Sequence, residues 1–263
     1  MEGQKMNDQK RYRSRNMNYI FNIEYMEDLK TSPNFEEKNK EITKFQFKKI
    51  RFFQGMESIP GFETIELETT YPGLLIGTGG AHDLNEKEVI KCGFTFDYVT
   101  GIPYYPGSSL KGILRSYFPG GRPENEKEEY EEYIKSILQE IHCENIKIDD
   151  LETQIFDNSD VFLGAYPVGG KGNKWMELEY ITPHKKIYQN PIPINLIKVK
   201  PGVKFKFGFL LSDYVSGDQR VTAEQKKELF LRIILDMGVG AKTNVGFGKF
   251  KTPVKREVFE KKR

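Results

Sequence analysis

The sequence predicts an α+β domain, and two kinds of spacing carry that prediction. Some stretches alternate apolar and polar residues. Ile65 and Leu67 alternate with Glu66 and Glu68, and Phe205, Phe207 and Phe209 alternate with Lys204, Lys206 and Gly208. A period of two is that of a half-buried strand. Other stretches repeat apolar residues at helical spacing: Leu110, Ile113, Leu114 and Tyr117, and again Leu229, Phe230, Ile233, Ile234 and Met237. With insertions set aside, the order is strand 62–70, helix 108–118, strand 160–167, strand 203–212, helix 222–237, strand 245–251. That βαββαβ order predicts a ferredoxin-like (RRM-like) sheet with both helices on one face. RRM domains use the open sheet face for RNA, but their aromatic signatures are absent here, and the fold alone permits many functions.

The elements follow in chain order. Residues 1–15 carry Lys5, Lys10, Arg11, Arg13 and Arg15, a composition expected of a flexible basic arm. Residues 17–53 read as two helices split at Thr31-Ser32-Pro33, with Ser32 or Asn34 capping the second and Pro33 in its first turn. Residues 1–60 thus form an N-terminal helical extension, whose apolar residues Ile42, Phe45, Ile50 and Phe53 suit packing against the core or a partner equally. After the first strand comes a glycine-rich stretch, 72–83. Residues 92–98 and 102–105 resemble a hairpin turning at Thr100-Gly101. Ser108 or Ser109 is an expected N-cap for the next helix. Lys111 and Arg115 then share a face one turn apart.

The stretch 119–160 is a helical insertion. Glu124, Glu126, Glu128, Glu129, Glu131 and Glu132 open a helix near 126–141, where early acid suits the macrodipole. The stretch 160–200 is expected to be a protruding β-hairpin, pairing Val161–Val168 with Trp175–Ile181 across Gly169–Lys174. Lys171, Lys174 and Trp175 on such a loop suit backbone contact and base stacking, although a merely exposed loop explains them too. Thr222 and Gln225 form a capping-box pattern. The domain closes near 252, and 253–263 is a basic tail.

Between the last helix and strand lies Asp236–Phe250, with glycines at 238, 240, 246 and 248 around Lys242-Thr243-Asn244. Such a turn can aim successive N–H groups at an anion, with Lys242 and Lys249 adding charge. The alternative is a plain helix stop and tight turn. Phe247 and Phe250 offer faces for the core or for a base. It is not a Walker A loop, because Ala241 precedes Lys242 and the preceding pattern is helical. Nor is it a dinucleotide fingerprint, which would need glycine at 243 and the opposite element order. The N-terminal turn at Gly107-Ser108-Ser109 is a second phosphate-sized site, because first-turn N–H groups lack helical partners.

Bulk numbers set limits. The 263 residues suffice for a sizeable core, and a net charge of +2 gives no bulk argument for nucleic acid, so any such contact needs a local basic surface. Cys92 and Cys143 lie far apart without CxxC spacing, as in a reduced cytoplasmic protein. No apolar run reaches membrane-spanning length, and the polar start is unlike a signal peptide. His82, His142 and His184 have no metal-ligand spacing, so no metal or other cofactor is expected.

Three segments together resemble the RAMP superfamily of CRISPR RNA-binding proteins: Gly101–Arg115, Leu178–His184 and Gly238–Gly248. The second, with Asn190–Asn195 and Val199–Val203, is similar to a subunit of the type III-B Cmr complex, the sixth. The resemblance implies a non-catalytic RNA-binding subunit that caps the complex's backbone near the three-prime end of the CRISPR RNA. Its partners would be CRISPR RNA, target RNA, and the backbone, small helical and first Cmr subunits. The resemblance also places Gly107, Ser108, Ser109, Lys111 and Arg115 on guide phosphates, with Gly240, Lys242, Thr243, Asn244 and Gly246 beside them. Lys171, Lys174 and Trp175 would lie on the family's thumb, which wedges into the guide–target duplex. Backbone subunits of these complexes cut target RNA with an acid; Lys91 and Cys92 stand where that acid is sought. The alternative is a metal-independent endoribonuclease with His82 as general base.

Overall fold

The computed structural model of the chain describes residues 14–27, 33–77, 82, 84, 86–170, 172–182 and 193–253. The basic arm before residue 14, Ser32, most of the 78–83 glycine stretch, Lys171, His184 and the tail beyond 253 lie outside the described residues.

The N-terminal extension begins with α1 (Met17–Asn22), whose cap Asn16 accepts the N–H of Tyr19. Helix α2 (Phe35–Lys44) is capped by Asn34, which accepts the N–H of Glu37 at 3.2 Å, so Pro33 precedes the cap rather than entering the first turn. The extension packs on the core of its own chain. Tyr25 donates its hydroxyl to Asn39 at 2.8 Å and accepts the N–H of Ile90 at 2.9 Å, linking both helical segments to the 82–90 stretch.

The core follows as β1 (Phe62–Thr69), α3 (Gly107–Arg115), the insertion helices α4 (Glu124–Glu140) and α5 (Ile148–Thr153), and β2 (Val161–Gly169). Then come β3 (Met176–Ile181), β4 (Ile194–Val199), β5 (Lys204–Leu210), β6 (Tyr214–Ser216), β7 (Gln219–Val221), α6 (Ala223–Met237) and β8 (Phe250–Lys251). The main sheet has the order β2-β5-β1-β8, and each neighbouring pair runs antiparallel. Phe205, Phe207 and Phe209 are fully buried on one face of β5, opposite Leu67 and Ile65 in register. That face receives α6, where Phe230 meets Phe209 at 5.5 Å, and α3 touches both α6 and β2. Burying each such ring contributes about 1.5–3 kcal/mol. Thr222 and Gln225 close the expected capping box on α6.

The other sheet face is partly roofed. Phe52 stacks on Tyr166 at 4.0 Å, Tyr104 stacks on the same ring at 5.4 Å, and the Phe53 ring lies where a Cβ on Gly208 would fall.

Two expectations about the strands do not hold either. Strand β2 pairs with β5 and not with β3; β3 pairs instead with β4, Met176 opposite Val199 through Ile181 opposite Ile194. The apolar partners decide this. Ala165 of β2 lies opposite buried Phe207, whereas buried Met176 finds Ile197 and Val199 in β4. The final strand is also shorter than 245–251, because Gly246 and Gly248 adopt φ of 94° and 70°, which an extended strand cannot contain.

Candidate nucleic-acid interface

Helix α3 and the glycine loop meet at one place. Tyr105 exchanges two 2.8 Å backbone hydrogen bonds with Ala165, which fixes the start of α3 on β2. Pro106 occupies the N-cap position with extended backbone and no side-chain cap, so Ser108 and Ser109 are first-turn residues and not the caps expected. Pro106 is suited there because its ring sets φ near the observed −61°. Gly107 must be glycine: a Cβ would stand 1.9 Å from the carbonyl oxygen of Phe162. The N–H groups of Gly107, Ser108 and Ser109 have no hydrogen-bond partner among the described residues, and both serines are exposed.

From the other side, the Tyr105 hydroxyl accepts the N–H of Gly240 at 3.3 Å, and Ala241 donates to Leu75 at 3.0 Å. Gly240 has φ +91°, and a Cβ there would lie 2.4 Å from the Leu75 carbonyl oxygen. The loop is closed at its far end, where Val239 donates to Gly248 at 2.9 Å and Gly248 donates to Gly73 at 2.8 Å. Between these anchors Lys242 takes a left-handed conformation, and 243–245 form a single tight turn. The N–H groups of Lys242, Thr243 and Asn244 point to no acceptor among the described residues. Successive free amides at a left-handed turn can form an anion-binding concavity. Ile76, Gly77, Thr95, Tyr105, Ser109, Gly240 and Ala241 line a cavity of about 200 Å³ where the start of α3 meets the glycine loop. Thr95 also has a shielded Oγ1 with no partner among the described residues.

Charge sorts the sequence candidates. Neither Lys111 nor Lys242 has an ion-pair partner among the described residues. Lys111 shares a face of α3 with Ser108, three residues before it. Lys249 turns away, donating to the Asp236 carbonyl oxygen at 2.6 Å. Arg115 ends α3 and is held by both oxygens of Asp157 at 2.7 and 3.0 Å, with Glu152 at 4.0 Å. Burial pushes the Glu152 carboxyl up, opposed by the Gly120 N–H and the Arg115 charge. Arg115 therefore sits in a half-exposed ion pair, its side chain 43% and that of Asp157 45% exposed, with less free charge to offer a phosphate than Lys111 or Lys242.

The thumb candidates do not join this cluster. Lys174 lines a separate open cavity of about 660 Å³ with Gln46, Asn173 and Lys200. Trp175 is only 1% exposed and stacks on Phe47 at 5.1 Å, so its ring is a core element and not a surface for bases. Phe247 is buried too, with Leu75 and Leu196, which settles it as core. Sequence reading missed the contribution of Gly73 and Leu75, although the glycines at 73 and 77 were the available signal.

His82 is not placed as a base would be. Its ring packs beside both Phe21 at 4.6 Å and Tyr25 at 4.9 Å, and Nδ1 is 2.9 Å from the Ile90 carbonyl oxygen. Burial lowers its pKa below the ordinary histidine value, and Nε2 is shielded. No group of His, Cys, Asp and Glu suited to a metal occurs among the described residues, and no described helix is long and apolar enough to cross a membrane.

Known proteins share parts of this chain. The CRISPR system Cmr subunit Cmr6 of Pyrococcus furiosus is 25% identical over 204 residues, covering 57% of this chain and 58% of that protein. Among solved structures, a cryo-EM structure of the type III-B Cmr-beta bound to cognate target RNA aligns at 26% identity and a TM-score of 0.46, covering 73% of this chain and 58% of that one. The crystal structure of Cmr6 from Pyrococcus furiosus aligns at 22% identity and a TM-score of 0.44, over 73% of this chain and 99% of that one. The family model of the RAMP superfamily matches residues 66–251, which include both α3 and the glycine loop. The chain belongs to the RAMP superfamily.

Proposed function

We propose that this chain is a non-catalytic RNA-binding subunit of a type III-B CRISPR effector complex, gripping a ribose-phosphate strand where α3 meets the glycine loop. The observation that carries this reading is the cavity where the first turn of α3, at Ser109, meets the glycine loop, at Gly240 and Ala241, with the unpartnered amides of Gly107–Ser109 and Lys242–Asn244 on those same two segments. Helix N-termini and such turns both favour phosphate. The sheet order, with α3 and α6 touching each other on one face, supports a ferredoxin-like core under this site. Similarity to a Cmr subunit supports a place among the subunits of such a complex, and on this reading the partners are CRISPR RNA, target RNA and the backbone, small helical and first Cmr subunits. On this reading the chain caps the backbone near the three-prime end of the CRISPR RNA, in the cytoplasm. The setting of His82, packed against two aromatic rings with Nε2 shielded, favours this over the endoribonuclease alternative, because a general base must reach the proton it removes.

The test is fluorescence anisotropy of single-stranded RNA over a series of salt concentrations. The double variant Lys111→Ala, Lys242→Ala should bind more weakly. Its log affinity should fall less steeply with log salt, by about 0.7 for each phosphate no longer neutralised. Lys242 is exposed and Lys111 only half-buried, so the fold should be retained. A folded double variant with unchanged affinity and slope overturns the proposed grip.

A further inference from the structure

We propose that Tyr71 is a base-stacking platform on the rim of the glycine loop, taking one unpaired base of a single-stranded RNA whose phosphates lie over Lys242–Asn244. The inference rests on the function proposed above and adds a residue and a mode of recognition to it. Tyr71 is 84% exposed, more than any other large apolar side chain among the described residues. Its backbone is nevertheless fastened to the loop on both sides. Thr70 donates both its N–H and its hydroxyl to the Lys249 carbonyl oxygen at 3.0 Å, and Gly73 accepts the N–H of Gly248 at 2.8 Å. A Cβ added to Gly246 would come within 3.5 Å of Pro72, so the turn carrying Val245 lies against the residue after Tyr71. Val245 is itself largely exposed.

The glycine loop therefore has two ends of different character. At one end Gly240 and Ala241 face α3 and its free N–H groups. At the other end an open aromatic ring stands on fixed backbone beside an exposed aliphatic side chain. The unpartnered amides and Lys242 lie between. A strand crossing from the first end to the second meets cationic groups and then a flat π-face, the combination by which single-stranded nucleic acid is held without sequence preference. Tyr98 is nearly as exposed, but its carbonyl oxygen accepts from Asn16 of the N-terminal extension, so it belongs to another part of the surface.

The test uses the full chain with two fluorescein-labelled probes: an oligouridylate, and a strand of equal length with abasic spacers in place of the nucleosides. Tyr71→Ala should weaken oligouridylate binding by roughly five- to a hundredfold, the range of removing one base stack. Its salt slope should match that of the wild type, because no charge is removed. Tyr71→Phe and Tyr71→Trp should bind as the wild type does or better, and Tyr71→Ala should not alter binding of the abasic strand. Wild-type affinity for oligouridylate in Tyr71→Ala, alongside weakened binding by the lysine double variant, overturns the stacking role and leaves the proposed function standing. Equal losses on both probes also overturn stacking. If the wild-type chain binds neither probe, both proposals fall.

Discussion

Lys226→Ala is expected to destabilise the fold by about 3–5 kcal/mol, the usual result of leaving one member of a buried ion pair without its partner. The side chains of Lys226 and Asp160 are both fully buried, with Nζ 2.7 Å from Oδ2. Nζ also donates to the side-chain oxygen of Gln154, and Asp160 Oδ1 accepts from the N–H and the hydroxyl of Ser212 at 2.9 and 3.1 Å. The pair thus ties α6 to the turn before β2 and to the chain leaving β5. Burial pulls the Lys226 ammonium pKa down, while the hydrogen bond and charge of Asp160 resist that pull. With Lys226 removed, Asp160 stays buried with the two hydrogen bonds from Ser212 but without its cation. The double variant Lys226→Met, Asp160→Leu should recover most of the loss, since apolar replacement of a buried pair is often neutral. Urea midpoints measure both effects. An unchanged midpoint in Lys226→Ala would show that the pair is not buried as described.

Trp175→Ala should be comparably damaging, at about 3–5 kcal/mol, because it empties a large buried site. Trp175 stacks parallel to Phe47, at an interplanar angle of 2°, and the N–H of Phe47 donates to Asn173 at 3.0 Å. The indole therefore holds the segment after α2 against the connection between β2 and β3. The variant should melt early, yet at low temperature its folded fraction should show a wild-type salt slope for RNA binding. The opposite outcome, an unchanged melting temperature with RNA binding abolished, would return Trp175 to the RNA surface.

Trp175 also shows where sequence reading stops. A tryptophan after Gly172-Asn173-Lys174 reads as exposed, and its burial depends on Phe47, remote in the chain. Arg115 reads as a free cation because its partner Asp157 lies 42 residues on. The pairing of β3 with β4 is hidden for the same reason, since local alternation marks a strand but not its neighbour. What is local was legible. The phenylalanine row of β5, the Thr222 capping box and a cap at Asn34, one of the two positions offered, all follow from residues within one or two turns. The glycine loop was legible too, because positive φ at 238, 240, 246 and 248 suits glycine above other residues. That Leu75 and Tyr105 anchor it was not, since both act from other segments.

The most direct measurement is photocrosslinking of a single-stranded RNA carrying 4-thiouridine to the full chain, with the adducts mapped by mass spectrometry. If α3 and the glycine loop grip one strand, adducts are expected in 105–115 and 238–249 together, because those segments border one cavity. Adducts confined to the Lys174–Lys200 cavity or to the Lys204 and Lys206 face of the sheet, with neither segment labelled, would contradict that grip.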